Sequence, residues 1–444
     1  MTQRLIFLIY LLSVFILGVS CQQFQIPRAI SVFSSKLYQS FLIPTNNSST
    51  SNQQAPQNLV YSPFSIHTVL SMTMIGARNE TFNEIALALG FPQDTSFLSL
   101  NQPENVTQFE QSIKDYSHEW SSLITTTNDS ILSVANGIYI EKSYPLSYDY
   151  LQLIRDDFHS NVKSADFSGN AEAERVDINS FVSDRTNQLI KELIPVGAIT
   201  SDTKLVLVNA IYFLGEWQSP FSKDMTTNAS FKQLSITNEI LQQQVPYMIK
   251  RDVFEMFGDN DEYNWLTLPY SNTNYQMTFI VSKFNLPFSA ATDKNFDQFI
   301  ANSLSSSTPV FTTTQTNMRL VRIPKFKLEF ESELSNILKD ENGDFKMITS
   351  FEREAANFSA MIQPDHPMKP LMQLWIDKIF HKAYIRVDEL GTEAAAATAS
   401  IIVGRTTSIV DELDQRDFVI DRPFAFVLKR DDVVLFVGKV NKLY

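Results

Sequence analysis

The stretch Asp388–Glu412, DELGTEAAAATASIIVGRTTSIVDE, sets contradictory local rules. Alanine is the best helix former and is depleted in strands, yet Ala394–Ala397 run on towards Thr398, Ile401, Ile402 and Val403, residues of strand character. Taken alone, EAAAATA reads as a short surface helix. Arg405, between Gly404 and Thr406, is the only basic residue between Arg386 and Arg416. Taken alone, it is an incidental surface arginine.

At 444 residues, 44% hydrophobic and 19% charged, the chain can bury a sizeable core. Its formal net charge of −13 repels a phosphate backbone or an anionic membrane, so neither nucleic acid nor membrane is expected as a partner. The N-terminus places Arg4 before an apolar run, Leu5–Leu17, and then small residues up to Cys21. That pattern predicts a secretory signal peptide over residues 1–21, with cleavage after Ser20 or Cys21 fitting equally well. Seven sequons, at Asn46, Asn47, Asn79, Asn105, Asn128, Asn228 and Asn357, agree with a secreted, extracellular glycoprotein. The lone Cys21 sits at the cut, so the mature chain has no intramolecular disulfide and depends on its core.

No repeat period is present, and residues 22–444 are read as one domain. The segment 45–57, TNNSSTSNQQAPQ, has little to bury and reads as a flexible polar loop; NSLSSSTPVFTTTQTN from Asn302 reads as a second surface connection. Helical spacing marks Phe109, Ile113, Tyr116 and Trp120, and also YDYLQLIRDDFHSNV and INSFVSDRTNQLIKELI. Strand character marks KLVLVNAIYFL, MRLVRIPKF, KAYIRV and DVVLFVGKV. Helices lead the first half and strands the second, which predicts an α+β fold.

The sequence does not read as an enzyme. No two of the 12 glycines are spaced as a dinucleotide loop or a G-x-S-x-G elbow requires, and the five histidines form no H-E-x-x-H pair. No cofactor or metal is expected. Four polar positions are out of place instead. Asn209 interrupts the apolar run Leu205–Phe213, and a buried amide without partners costs roughly 1–3 kcal/mol. Ser62 and Ser65 open an apolar helix, where N-capping accounts for them. His381 opens a strand, where a satisfied core histidine is the plain reading.

NLVYSPFSI, SVANGIYIEKSY, VKSADFS, VNAIYFLGEW, IPKFKLE, HKAYIRVDELGTEAAAATA and DRPFAFVLKRDDVVLFVGKV follow one another from Asn58 to the C-terminus. This series resembles the serpins, the serine protease inhibitor family. The resemblance implies a metastable α+β fold of three β-sheets and about nine helices with an exposed reactive-site loop. It implies a shutter of Ser62, Ser65, Asn209 and His381 beneath the central sheet, and a breach at Trp217 where that sheet first opens.

In the family, the segment matching 389–416 is the reactive-site loop and hinge, an exposed bait that inserts into the central sheet once a protease has cut it. Insertion requires alternation of faces. Thr392, Ala394, Ala396 and Thr398 would point inward, while Glu393, Ala395 and Ala397 point outward. Only small side chains can slide between packed strands, and Glu393, the only charge between Gly391 and Arg405, falls on the outward set. Gly391 gives a hinge its freedom. A dozen new ladder bonds at ~1 kcal/mol net each would release on the order of 10 kcal/mol, so the intact state is expected to be metastable.

Family spacing places the cut between Arg405 and Thr406, with Gly404 in the neighbouring subsite. Arginine there suits a trypsin-like serine protease, expected as the partner in a covalent complex with a monomeric inhibitor. A role in an extracellular cascade such as melanisation or Toll activation follows by analogy. A non-inhibitory serpin, serving as ligand carrier or store, is the alternative. Four departures from the family pattern stand out: Leu390 before the hinge glycine, a longer run from Arg405 to DRPFAF that could displace the cut, Arg422 before Pro423, and FIVSKFN. Acids Glu110, Asp115 and Glu119 outnumber Lys114 in TQFEQSIKDYSHEWSSL, so heparin is not expected to bind.

Overall fold

The computed structural model describes residues 26–42, 57–91, 117, 130–235, 237–284, 286, 288–306, 308–392 and 415–444. The expected signal peptide and most of the 45–57 loop lie outside these residues, as do Asn46, Asn47, Asn105 and Asn128. So do Glu393–Thr398, Gly404, Arg405, Thr406 and all of the segment 107–123 apart from Ser117.

The chain begins with α1 (Ile26–Leu42), β1 (Leu59–Tyr61), α2 (Pro63–Gly76) and α3 (Asn79–Ala88). It continues through β2 (Ser130–Glu141), α4 (Tyr148–Phe158), β3 (Asn161–Ala165), α5 (Phe167–Arg185) and β4 (Leu205–Glu216). Next come β5 (Thr227–Leu234), β6 (Ile240–Asp259), β7 (Tyr263–Pro269), β8 (Tyr275–Ser282) and α6 (Ala290–Ser305). After β9 (Thr314–Pro324) and β10 (Phe326–Glu333), two short helices, α7 (Ser335–Leu338) and α8 (Ile348–Phe351), lead into β11 (Lys378–Val387) and β12 (Gly391–Thr392). β13 (Arg416–Val419), β14 (Phe424–Arg430) and β15 (Val433–Val440) close the chain.

Among the described residues the strands form two hydrogen-bonded sheets. One has six strands in the order β10-β11-β12-β4-β2-β3, with β11 also pairing β4 directly. The other has nine, β1-β15-β14-β8-β7-β6-β9-β13, with β5 added to β6. Where three sheets are expected, the 20-residue β6 pairs in turn with β5, β9 and β7, and so joins two of them into one ladder.

β4 explains its own sequence. Leu205, Leu207, Ile211 and Phe213 enter the core shared with α2, while Val206, Val208, Ala210 and Tyr212 pack under α5 and the segment after it. A strand buried on both faces reads as a continuous apolar run. α2 touches both β15 and the pair β2/β4, so it lies between the two sheets, and nearly all of its residues are buried.

Two boundaries differ from the sequence pattern. Helical spacing runs on to Ile194, yet α5 stops at Arg185, because Asn187 and Gln188 take left-handed backbone with φ 48° and 63°. Of the polar connection after Asn302, the first residues extend α6 and those from Thr314 open β9.

Candidate functional site

Two buried clusters lie along the boundary between β4 and β11. In the first, strand register fixes the geometry. Asn136 of β2 stands opposite Asn209 of β4, and Asn209 stands opposite His381 of β11. These three polar side chains therefore form one row across three strands. α2 supplies the other partners: Ser62 caps its N-terminus, its Oγ accepting from the N–H of Ser65 at 3.1 Å.

The row is closely bonded. The Asn209 amide donates to Ser65 Oγ and to Asn136 Oδ1, and Ser65 Oγ donates to Asn136 Oδ1 at 3.2 Å. His381 Nε2 accepts from the Ser62 N–H at 3.4 Å, which leaves the ring proton on Nδ1, 2.5 Å from Asn209 Oδ1. Burial pushes the His381 pKa down to about 3, so the ring is held neutral. Ser62, Ser65, Asn209 and His381 are thus brought together, with N-capping and network membership held by the same serines.

Asn136 is the member the sequence reading passed over. It sits within SVANGIY among small residues, and only its register with Asn209, 73 positions away, marks it out.

The second cluster surrounds the start of the Ala-rich stretch. β11 and β4 run parallel and pair directly from Lys378↔Val206 to Tyr384↔Tyr212. Beyond that row β12 lies between them, with Gly391↔Glu216 and Thr392↔Gly215 on one side and Val387↔Thr392 on the other. Gly391 has φ 155°, and a Cβ there would lie 2.0 Å from the Gly215 carbonyl oxygen. Close backbone approach requires glycine here.

Thr392 is fully buried, its hydroxyl 2.7 Å from Tyr270 Oη. Tyr270 in turn stacks on Trp217, centroids 4.4 Å apart. Trp217 grips the chain just before Gly391: its indole donates to Asp388 O at 3.0 Å and its backbone N–H to Leu390 O at 2.8 Å. Only the backbone carbonyl of Leu390 takes part in that bond, so a polar side chain is not required at this position. Glu389 pairs with Lys325 at 2.8 Å and accepts from Thr226 at 2.7 Å. Burial works to raise the Glu389 pKa, but these partners outweigh it and hold the carboxyl below its usual range.

Arg422 replaces a histidine of the family pattern, and it pairs with Asp421 at 2.9 Å and reaches the carbonyls of Lys283 and Leu286. Of the described sequons, Asn79 and Asn228 are exposed and Asn357 is half-buried.

A chain that turns back from one strand and enters its own central sheet beside Trp217 defines a class, and comparison with known proteins agrees with it. The family model Serpin (serine protease inhibitor) matches residues 33–443. Serpin-ZX of Arabidopsis thaliana is 31% identical over 394 residues, covering 86% of this chain and 91% of its own length. Serpin B4 of Homo sapiens is 30% identical over 392 residues, covering 86% and 93%. The crystal structure of Serpin48 from the insect Tenebrio molitor shares the fold, with a TM-score of 0.75 at 24% identity, covering 96% of this chain and 100% of that one. The chain belongs to the serpin family. Members of that family are mostly protease inhibitors rather than enzymes.

Proposed function

We propose that the protein is a secreted, glycosylated inhibitor that traps a trypsin-like serine protease as a suicide substrate. The observation that carries this reading is β12: Gly391 and Thr392 already occupy the first two places of a strand between β4 and β11. In the proposed reaction the protease serine attacks the Arg405 carbonyl, and the peptide bond to Thr406 breaks. The new Thr406 amine leaves with a proton from the protease histidine, while Arg405 stays bound as an acyl ester. The freed segment then zips into the sheet from Thr392 downward.

Continuing the register of β12 along both neighbouring strands supports this reading. Continued in that register, Thr398, six rows on from Thr392, would stand opposite Asn209 and His381, and Ile402, ten rows on, would stand opposite Leu205 and Asp377. Thr392, Ala394, Ala396 and Thr398 would then share the inward face with Phe213, Ile211 and Asn209, and small residues suit it. Arg405 would pass beyond the lower end of β4, carrying the bound protease with it. An extracellular proteolytic cascade is the proposed setting.

The test is incubation with trypsin followed by denaturing electrophoresis. A covalent complex that disappears in Arg405→Ala is expected. A cut loop with free, active trypsin would overturn inhibition and favour the carrier or storage reading.

A further inference from the structure

At the lower end of the β4/β11 boundary, one side chain spans the two strands. Asp377, the residue before β11, donates its N–H to Leu205 O at 2.9 Å. Its Oδ2 accepts from the N–H groups of Lys204 and Leu205, the latter at 3.1 Å. Its other oxygen, Oδ1, is held by the indole N–H of Trp375 at 3.0 Å. The Trp375 ring is covered by the Arg353 guanidinium, 5.4 Å from its centroid. One oxygen is therefore fixed by Trp375, and the other takes up the N–H groups of Lys204, just before β4, and of Leu205, its first residue.

A strand inserted in the register of β12 arrives at this point with Ile402. Its last rows fill the space that the Asp377–Leu205 bonds cross, so those bonds must open before insertion is complete. Hydrogen bonds to an ionised acceptor are the strong ones, and this one stands where the inserting strand finishes, far from the end where it starts.

We propose that Asp377 is a positioning residue for loop insertion: a carboxylate clasp on the lower ends of β4 and β11 that sets how readily the last rows of the inserted strand are filled. The proposal rests on the reading that this segment inserts. It assigns separate roles to the two ends of the boundary, with Tyr270 and Trp217 receiving the strand and Asp377 admitting its end.

Two synthetic peptides test it, one matching Glu393–Ile402 and the other Glu393–Thr398. The long peptide reaches the clasp, and the short one stops at Asn209, four rows above it. Their rates of annealing to the intact protein are read from the gain of a heat-resistant fraction. Asp377→Ala is expected to speed uptake of the long peptide by about tenfold and leave the short one unchanged. Asp377→Asn, which keeps one acceptor oxygen, should fall between.

Equal acceleration of both peptides would show general loosening and overturn the clasp, as would no acceleration of either. If Asp377→Ala does not fold, Trp375→Phe frees Oδ1 and should act in the same direction, again on the long peptide alone. Wild-type protein that takes up neither peptide would instead overturn insertion itself, which separates the two failures.

Discussion

His381 Nδ1 lies 2.5 Å from Asn209 Oδ1, and the two residues face each other across parallel strands that the proposed insertion would have to part. That bond requires the ring proton on Nδ1, and the Ser62 N–H donated to Nε2 requires the ring to be neutral. His67, also fully buried, is pushed down to about 4, and His381 to about 3. Both histidines ionise near 6.5 once unfolded.

Because the folded pKa is below the unfolded one, the unfolded chain binds more protons as pH falls below 6.5, and the folded state loses stability. Each ring contributes about 1.4 kcal/mol per pH unit within that window. The thermal midpoint is expected to fall between pH 7 and pH 5, and His381→Gln should flatten that slope by about half. A wild-type midpoint independent of pH over this range would show that the ring takes up a proton inside the cluster.

Thr392 and Tyr270 give a second prediction. Thr392 is fully enclosed and bonded to Tyr270, so an arginine there would bury a cation without a partner, at a cost of several kcal/mol. Thr392→Arg is expected to be cut by trypsin at a normal rate while the yield of covalent complex falls at least tenfold. Normal complex yield would mean that the inserting strand does not begin at Thr392.

The parts of this site that sequence made legible are those where a residue contradicts its neighbours. Asn209 within LVLVNAIYFL and the alanines of GTEAAAATA are visible in that way. Asn136 contradicts nothing locally, and its meaning comes only from pairing with a strand far along the chain. Tyr270, Lys325 and Asp377 are similar cases, since an ordinary tyrosine, lysine or aspartate at a strand end carries no signal until the fold sets it beside the hinge or across a boundary. The end of α5 is hidden in the sequence because apolar spacing continues in residues that pack on the sheet without being helical.

Gly391 supports a third prediction. Its missing Cβ leaves room for the Gly215 carbonyl and Glu216 Cα, which would lie 2.0 and 2.8 Å away. Gly391→Ala must therefore push β12 off β4, at roughly 1–3 kcal/mol. A thermal midpoint lowered by roughly 1–3 °C is expected for the intact protein. An unchanged midpoint would show that β12 can leave its place at no cost.

Thr398 allows the native and inserted states to be separated. The intact cluster of Ser62, Ser65, Asn136, Asn209 and His381 is bonded without it. Insertion would break the Asn209–His381 bond by placing Thr398 between the two. A hydroxyl there both donates and accepts, so it can rejoin Asn209 Oδ1 and the imidazole. Valine has the same shape and neither function. It would leave two buried polar groups unpaired only in the inserted form, at about 1–3 kcal/mol. Thr398→Val is therefore expected to leave the midpoint of the intact protein unchanged and to lower that of the loop-cleaved protein. Calorimetry of both forms, before and after a single cut at the loop, measures the difference. Equal shifts in the two forms, or none in the cleaved one, would show that the inserted strand follows a register other than the one β12 begins.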